Sequence, residues 1–274
     1  MLRIITVGSA APDVPPKTSV VLLTYKRPHF LKECLKSLQL NAGISDYEIL
    51  IWDNNKDNIG AGAMPKLLKK ARGDFFVVTS DDVLWYSPNW LKILVEAFQQ
   101  KPGIDTSQGW IDEWGALGIS GLQGKTTNSG MWPEKFTNKV EYRIGDIWYW
   151  GNVIPHIGAV IFKTSLLRDL DAFPKKPQRK HYIHSHALYK VMETRRMVGQ
   201  LRDVYAYEAC SPYWAELCPE TWKAKQGELT IKEGLHIYNE KGNFDFTYQE
   251  PKKAFLKGKF QEYATDLYRR TCKL

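Results

Sequence analysis

Short apolar runs alternate with amphipathic helical stretches over the first hundred residues, and this alternation constrains the fold more than any other feature of the chain. The apolar runs lie at residues 19–24, 48–52 and 75–79. Between and after them, apolar side chains recur at every third or fourth position, which is typical of one face of a helix. A β-α-β-α-β-α order with short connections predicts an α/β fold with a mostly parallel sheet and helices on both faces.

Proline and glycine mark the ends of the predicted helices. Pro28 is expected at the first helical position, where its missing N–H costs nothing. Gly73 is expected to cap the end of the second helix, and Pro88 to open the third. Cys34 falls in the apolar stripe of the first helix, so we expect it to be a buried thiol.

The pattern weakens beyond residue 100. Residues 103–151 are rich in Gly, Trp, Asn and Thr and are predicted to form a loop-rich region. Residues 157–163 are predicted to be a strand, 183–196 a helix and 201–207 a last strand.

Polar side chains gather directly after each of the first three strands, at residues 24–27, 53–55 and 80–82. In open α/β sheets, ligands bind at the carboxyl ends of the strands, so these three clusters should line one crevice. Asp81 and Asp82 are adjacent carboxylates that repel each other unless a cation compensates them. Mg²⁺ and Mn²⁺ prefer such hard oxygen ligands, although a solvent-exposed turn that caps a helix is the alternative.

The order of these motifs carries a resemblance to a known family. The stretch SVVLLTYKRPHFLKECLKSL, then YEILIWDNN, NIGAGAMPKLLKKARGDFFVVTSDDVLW and PNWLKILVEAF, resembles the GT-A fold glycosyltransferases, family 2 in particular. It covers residues 18–100 well and 155–210 loosely. The resemblance implies a Rossmann-like nucleotide-binding sheet, mostly parallel, with helices on both faces and a C-terminal extension.

The resemblance also implies a domain division and a donor site. The glycosyltransferase domain would span residues 1–215, with a donor half at about 18–100 and an acceptor half at about 101–215, followed by a basic helical or irregular extension at 216–274. The implied nucleotide-binding residues are Thr24, Tyr25, Arg27, Asp53, Asn54 and Asp81. Asp53 would hydrogen-bond the nucleobase, and Arg27 would approach the diphosphate. Asp82 would hold Mn²⁺ or Mg²⁺, and Asp81 would reach the ribose or the metal.

The chain departs from the family at the general base. The family has an acidic pair after a Gly-Ala-x-x-x-Phe stretch, which residues 158–162 resemble, but residues 181–188 read HYIHSHAL. His184 or His186 is therefore a candidate base, since a neutral imidazole suits that role near pH 7. His184 is alternatively an extra metal ligand, or the histidines are a surface cluster. Asp112 and Glu113 are the other candidate bases.

Charge and aromatic content bear on the acceptor. The net charge is +8, and residues 251–274 hold seven Lys or Arg against two acidic residues, which suits a polyanionic partner or an anionic surface. Five tryptophans lie in the weakly patterned region and would either stack on an acceptor or pack in the core: Trp110, Trp114, Trp132, Trp148 and Trp150. The acceptor is left open between a glycan, a lipid-linked glycan and modified nucleic acid.

Cysteine content and hydropathy bear on the compartment. The four cysteines fit no metal or redox spacing, and no apolar run reaches the roughly 18 residues of a membrane helix. We therefore expect a cytoplasmic protein without a transmembrane segment.

The expected activity is metal-dependent transfer of a sugar from a nucleoside diphosphate sugar to an acceptor hydroxyl, with inversion as the resemblance favours. The alternative is a catalytically degenerate GT-A protein that binds a nucleotide sugar or a polyanion.

Overall fold

The computed structural model describes residues 2–7, 16–25, 28–55, 59–81, 83–85, 87–106, 109–122, 140–144, 147–151, 159–173, 185–194 and 196–208. The basic extension predicted for residues 216–274 lies outside these ranges. No helix in the described ranges is long and apolar enough to cross a bilayer.

The described chain forms twelve strands and five α-helices. The strands are β1 (Leu2–Val7), β2 (Thr18–Thr24), β3 (Tyr47–Asp53), β4 (Phe75–Ser80), β5 (Val83–Trp85), β6 (Ile104–Thr106), β7 (Gly109–Ile111), β8 (Trp114–Leu122), β9 (Val140–Ile144), β10 (Ile147–Gly151), β11 (Ala159–Lys163) and β12 (Met197–Glu208). The helices are α1 (Pro28–Asn41), α2 (Met64–Lys70), α3 (Trp90–Gln99), α4 (Thr164–Asp169) and α5 (Ser185–Met192), with a 3₁₀ turn at Gly60–Ala63.

The three strands predicted from the first hundred residues form a parallel unit, because β2 pairs in parallel with both β3 and β4. The full sheet has ten strands in the order β1-β3-β2-β4-β11-β8-β12-β10-β9, with β5 added on β12. Strand β11 runs antiparallel to both β4 and β8, and β12 runs parallel to β8. Strands β2, β3, β4, β8 and β12 therefore all point the same way, and their carboxyl ends lie at one edge.

Helices cover both faces of this sheet, as predicted. Successive strand residues alternate between two separate apolar clusters, which are the two faces of the sheet. Helices α1 and α3 pack on one face through residues such as Cys34 and Leu94. Helices α2, α4 and α5 pack on the other through residues such as Leu67, Leu167 and Leu188. The α/β class is confirmed, and so is the burial of Cys34.

Three local expectations differ from the structure. Gly73 does not cap α2, whose C-cap is Ala71 in an extended conformation. Helix α3 begins at Trp90, after Asn89 in a left-handed conformation, so Pro88 lies two residues before the helix and does not open it. The described parts of residues 103–151 hold five strands, β6 to β10, where the sequence predicts a loop-rich region. Trp114 begins β8 and is buried in the core, which is the packing alternative for that side chain.

A buried polar network ties the segment after α2 to the amino ends of β2 and β3. Glu48 is fully buried and accepts hydrogen bonds from Ser19 Oγ at 2.7 Å, Arg72 N at 2.8 Å and Arg72 Nε at 3.0 Å. Gly73 N donates to Ser19 Oγ at 2.9 Å, and Thr164 Oγ1 donates to Gly73 O at 2.6 Å. The network fixes the edge of the sheet opposite to the carboxyl ends.

Candidate functional site

Residues of three neighbouring strands form a row at the carboxyl-end edge of the sheet. Thr24 pairs in register with Asp53, and Leu23 pairs with Ser80. Continuing the second register by one residue places Asp81 beside Thr24. Adjacent strands lie about 4.8 Å apart, so Asp53 and Asp81 flank Thr24 with their backbones about 10 Å from each other. The sequence prediction that these strand ends share one crevice is therefore consistent with the observed register.

Asn54 offers a buried hydrogen-bond acceptor at this edge. Its backbone N–H donates to Thr24 O at 2.9 Å, and both residues are buried. Its side-chain Oδ1 has no hydrogen-bond partner among the residues that the structure describes. Because buried acceptors are nearly always satisfied, this oxygen is suited to accept a bond from a ligand or from the chain segment beyond it.

The carboxylate of Asp53 contacts a residue of β1, the strand on the far side of β3 from β2. Its Oδ1 accepts the Asn55 N–H at 2.9 Å, and its Oδ2 lies 3.4 Å from Arg3 Nη2. The side chain of Asp53 is 17% exposed and that of Arg3 is 58% exposed. Asp53 is therefore held by the backbone of its own turn and by Arg3 of the neighbouring strand.

Asp81 follows β4 directly and is fully buried. The carbonyl before it, Ser80 O, lies 3.5 Å from the Cys34 Sγ of α1. Ionising a buried carboxylate is costly unless a cation or hydrogen bonds compensate it. The chemistry of a hard oxygen donor at the ligand-binding edge of the sheet fits Mg²⁺ or Mn²⁺. Nowhere in the described ranges do three or more metal-ligating side chains come together, and Asp82 falls outside those ranges.

The remaining donor-site predictions divide between described and undescribed positions. Tyr25 follows Thr24 at the end of β2 and is half-buried. Arg27 and His184 lie outside the described residues. His186 is the second residue of α5, but its side chain is not described.

The direction of α5 places its first turn on the side of the sheet's carboxyl ends. The last turn lies at the opposite edge, because Val191 packs against Gly115 at the start of β8. The chain then enters β12, whose first residue pairs with Trp114. Helix α5 contacts both β8 and β12, and Ala187 and Leu188 in its first half are buried in the apolar cluster on this face of the sheet. The structure thus brings the backbone of His186 toward the same side as Asp53 and Asp81.

Asp112 and Glu113 lie at the other edge of the sheet, just before β8. Asp112 Oδ2 pairs with Lys101 Nζ at 3.3 Å. Glu113 pairs with Arg196 Nε at 2.9 Å and with Lys163 Nζ at 3.8 Å. Lys163 is aligned with Phe75, the first residue of β4. Phe75 lies about 17 Å from the carboxyl end of β4. The structure therefore does not bring these two carboxylates together with the row at Asp53 and Asp81.

Sequence reasoning did not identify Arg3 as a residue of this edge. The signal was present, since residues 2–7 read LRIITV, a short run rich in β-branched residues. Its place beside β3 could not be deduced, because an antiparallel edge strand requires no local connection to its partner.

Comparison with known proteins gives structural likeness without sequence matches. No family profile matches the chain, and no curated protein sequence matches it. The solved structures that it resembles include glycosyltransferases.

The mannosyltransferase PcManGT from Pyrobaculum calidifontis, in complex with GDP-Man and Mn²⁺, aligns at 16% identity and a TM-score of 0.48, over 73% of this chain and 59% of that one. S. aureus TarS aligns at 17% identity and a TM-score of 0.48, over 93% of this chain and 49% of that one. Residues 1-349 of TarS, in complex with UDP-GlcNAc, align at 17% identity and a TM-score of 0.45, over 93% and 79%. The chain thus spans only about half to three fifths of the first two. Identities of 16–17% and TM-scores of 0.45–0.48 do not show what this chain does.

Proposed function

We propose that the protein transfers a sugar from a nucleoside diphosphate sugar to an acceptor hydroxyl, with Mn²⁺ or Mg²⁺ as cofactor. The observation that carries this proposal is the row Asp53–Thr24–Asp81 across three parallel strands at their carboxyl ends. This is the edge at which α/β sheets bind nucleotides. The sequence resemblance to GT-A enzymes supports the same assignment.

The row separates two tasks. Asp53 accepts hydrogen bonds from the nucleobase, and Asn54 Oδ1 supplies a second acceptor close by. Thr24 and Tyr25 border the base. Asp81 and Asp82 hold the metal, and Arg27 approaches the diphosphate. When bound, the metal neutralises the diphosphate and stabilises it as a leaving group.

The general base is assigned to His184 or His186, next to the start of α5. A neutral imidazole takes a proton from an acceptor hydroxyl near pH 7. The direction of α5 favours these histidines over Asp112 and Glu113, the other candidate bases, which lie at the opposite edge. Direct displacement by that hydroxyl inverts the anomeric carbon. His184 as an additional metal ligand is the second role to be tested.

Charge is the property of the chain that bears on the acceptor, and it does not select one. We keep a glycan, a lipid-linked glycan and modified nucleic acid as candidate acceptors, and contact of residues 251–274 with an anionic surface as a further candidate. Phosphate contacts weaken steeply with salt, so binding to a polyanion should fall as ionic strength rises. Cytoplasmic localisation remains a prediction from the cysteine pattern.

The decisive experiment is titration of nucleoside diphosphates and their sugars into the protein, with and without Mn²⁺. We expect one nucleotide to bind only with metal, and Asp82→Ala to abolish that binding. Glu96→Gln, which changes an exposed carboxylate on α3, is the matched control and should bind as the native protein does. Absence of nucleotide binding under every condition would refute the proposal.

Measuring donor hydrolysis separates an enzyme from a binding protein. Metal-dependent release of sugar from the bound donor is expected of a transferase that lacks its acceptor. Tight nucleotide binding without any hydrolysis or transfer would instead favour the catalytically degenerate alternative.

A further inference from the structure

Strand β1 extends the nucleotide-binding side of the sheet by one strand. It pairs antiparallel with β3 along its whole length, from Leu2 opposite Trp52 to Val7 opposite Tyr47. Leu2 packs with one apolar cluster and Ile5 with the other, so both faces of β1 are attached to the core. The strand is therefore part of the folded sheet at the position of Arg3.

Register explains why Arg3 meets Asp53. Arg3 is aligned with Ile51, and Asp53 is the diagonal neighbour two residues further along β3 on the same face. The contact joins Arg3 Nη2 to Asp53 Oδ2 at 3.4 Å. More than half of the Arg3 side chain is exposed, so a ligand at this edge can reach it. The edge thus presents a carboxylate acceptor, Asp53, beside a guanidinium donor, Arg3.

The order of strands sets the order in which a nucleotide meets these groups. Going across the sheet, the residues follow as Asp81 on the β4 side, then Thr24, Asp53 and finally Arg3 on β1. If the diphosphate and metal lie at Asp81, the base extends toward β1. The ring nitrogen of its pairing edge then lies against Asp53, and the more distal exocyclic group lies against Arg3.

This order discriminates between nucleobases. Uracil and guanine carry an N–H at that ring position and a carbonyl oxygen beyond it, which match a carboxylate followed by a guanidinium. Cytosine and adenine carry a lone pair at the ring nitrogen and an amino group beyond it, so both contacts would be repulsive. Resting on the function proposed above, we propose that Arg3 and Asp53 form a base-reading pair that selects a uracil or guanine nucleotide.

Binding of four nucleotides tests the pair. UDP, GDP, CDP and ADP are titrated into the full chain with Mn²⁺, for the native protein and for Arg3→Ala, Arg3→Lys and Lys92→Ala. The native protein should prefer UDP or GDP over CDP and ADP by about 10-fold or more. Arg3→Ala should lose most of that preference by weakening the favoured nucleotide about 10-fold while leaving CDP and ADP nearly unchanged. Arg3→Lys, which keeps a donor, should restore part of it.

Lys92→Ala removes another exposed cation, on α3, and should match the native protein, which excludes a general effect of charge. Equal binding of all four nucleotides by the native protein would refute the proposed base-reading pair. An unchanged nucleobase preference in Arg3→Ala would refute it as well. A higher affinity of Arg3→Ala for the nucleotide would also refute it, because Arg3 would then only compete with the base for Asp53. In these cases metal-dependent diphosphate binding persists, whereas failure of the proposed function itself would leave no nucleotide bound at all.

Discussion

Removal of the Glu48 side chain should destabilise the protein more than any other single loss of a carboxylate in the described chain. Glu48 is a buried residue of β3 and accepts three hydrogen bonds, one from Ser19 of β2 and two from Arg72. In Glu48→Ala the Ser19 hydroxyl and the Arg72 backbone N–H lose their acceptor. An unsatisfied buried donor costs about 1–3 kcal/mol.

The ion pair with the Arg72 guanidinium contributes less to the total. The side chain of Arg72 is 43% exposed, so in the mutant water solvates much of its guanidinium in place of the carboxylate. The free energy contributed by this ion pair therefore falls toward the ~1 kcal/mol of a surface pair. The two unsatisfied donors and the ion pair together make Glu48→Ala cost about 3–7 kcal/mol. Glu48→Gln keeps an acceptor oxygen but directs its amide toward the Arg72 Nε–H, and should cost about 1–2 kcal/mol.

Thermal and urea denaturation followed by circular dichroism measure these differences. A loss of 3 kcal/mol corresponds to a fall in Tm of about 6–12 °C for a chain of this size. Glu96→Gln is the matched control, because its carboxylate is 55% exposed in an i,i+4 pair with Lys92 and should shift Tm by less than about 2 °C. If Glu48→Ala has the same Tm as the Glu96→Gln control, the buried network does not stabilise the folded state and the reasoning is wrong.

Two further predictions concern the same end of the sheet. Gly73→Ala should destabilise by at least about 2 kcal/mol in urea unfolding, because the added Cβ would lie 2.6 Å from the backbone N of Ser19, which cannot move aside. A Gly73→Ala protein as stable as the native one would contradict this packing. Burial raises the pKa of Tyr47 to about 12, so its folded state keeps the proton where the unfolded chain loses it. The stability that this group contributes is complete below pH 10 and is lost between pH 10 and about 12. Tyr47→Phe should therefore lose less stability than the native protein over that window. Equal losses of stability in both proteins would contradict this role of Tyr47.

Local signals were sufficient to predict the parallel unit. Each of its strands is an unbroken apolar run, and each connecting helix shows an apolar stripe, so the order of elements follows from short windows of sequence. Pro28 opens α1 as predicted, because its effect on the backbone is local. The polar residues at the strand ends could be predicted as well, since parallel strands must share an edge for their carboxyl ends.

Long-range pairing could not be predicted in the same way. Strand β8 carries Gly115, Gly118 and Gly121, and glycine weakens any strand pattern, so the region was expected to be loops. Gly115 is required there because a Cβ would lie 2.3 Å from Val191 of α5. The place of Asp112 at the opposite edge of the sheet could not be predicted from sequence for a related reason. Its edge depends on the direction of β8, which is fixed by pairing with β11 and β12.

The strand order explains how distant parts of the chain produce one site. Arg3, Asp53, Thr24 and Asp81 are far apart in sequence, and their order along the chain differs from their order across the sheet. Because β2 lies between β3 and β4, the two acidic strand ends are held about 10 Å apart, at either side of Thr24. Because β1 is added beyond β3, its arginine contacts the Asp53 carboxylate from the outer side of the sheet. Under the proposed function, a nucleoside diphosphate would meet Asp81 through a metal ion at its anionic end and Asp53 through the nucleobase at its other end.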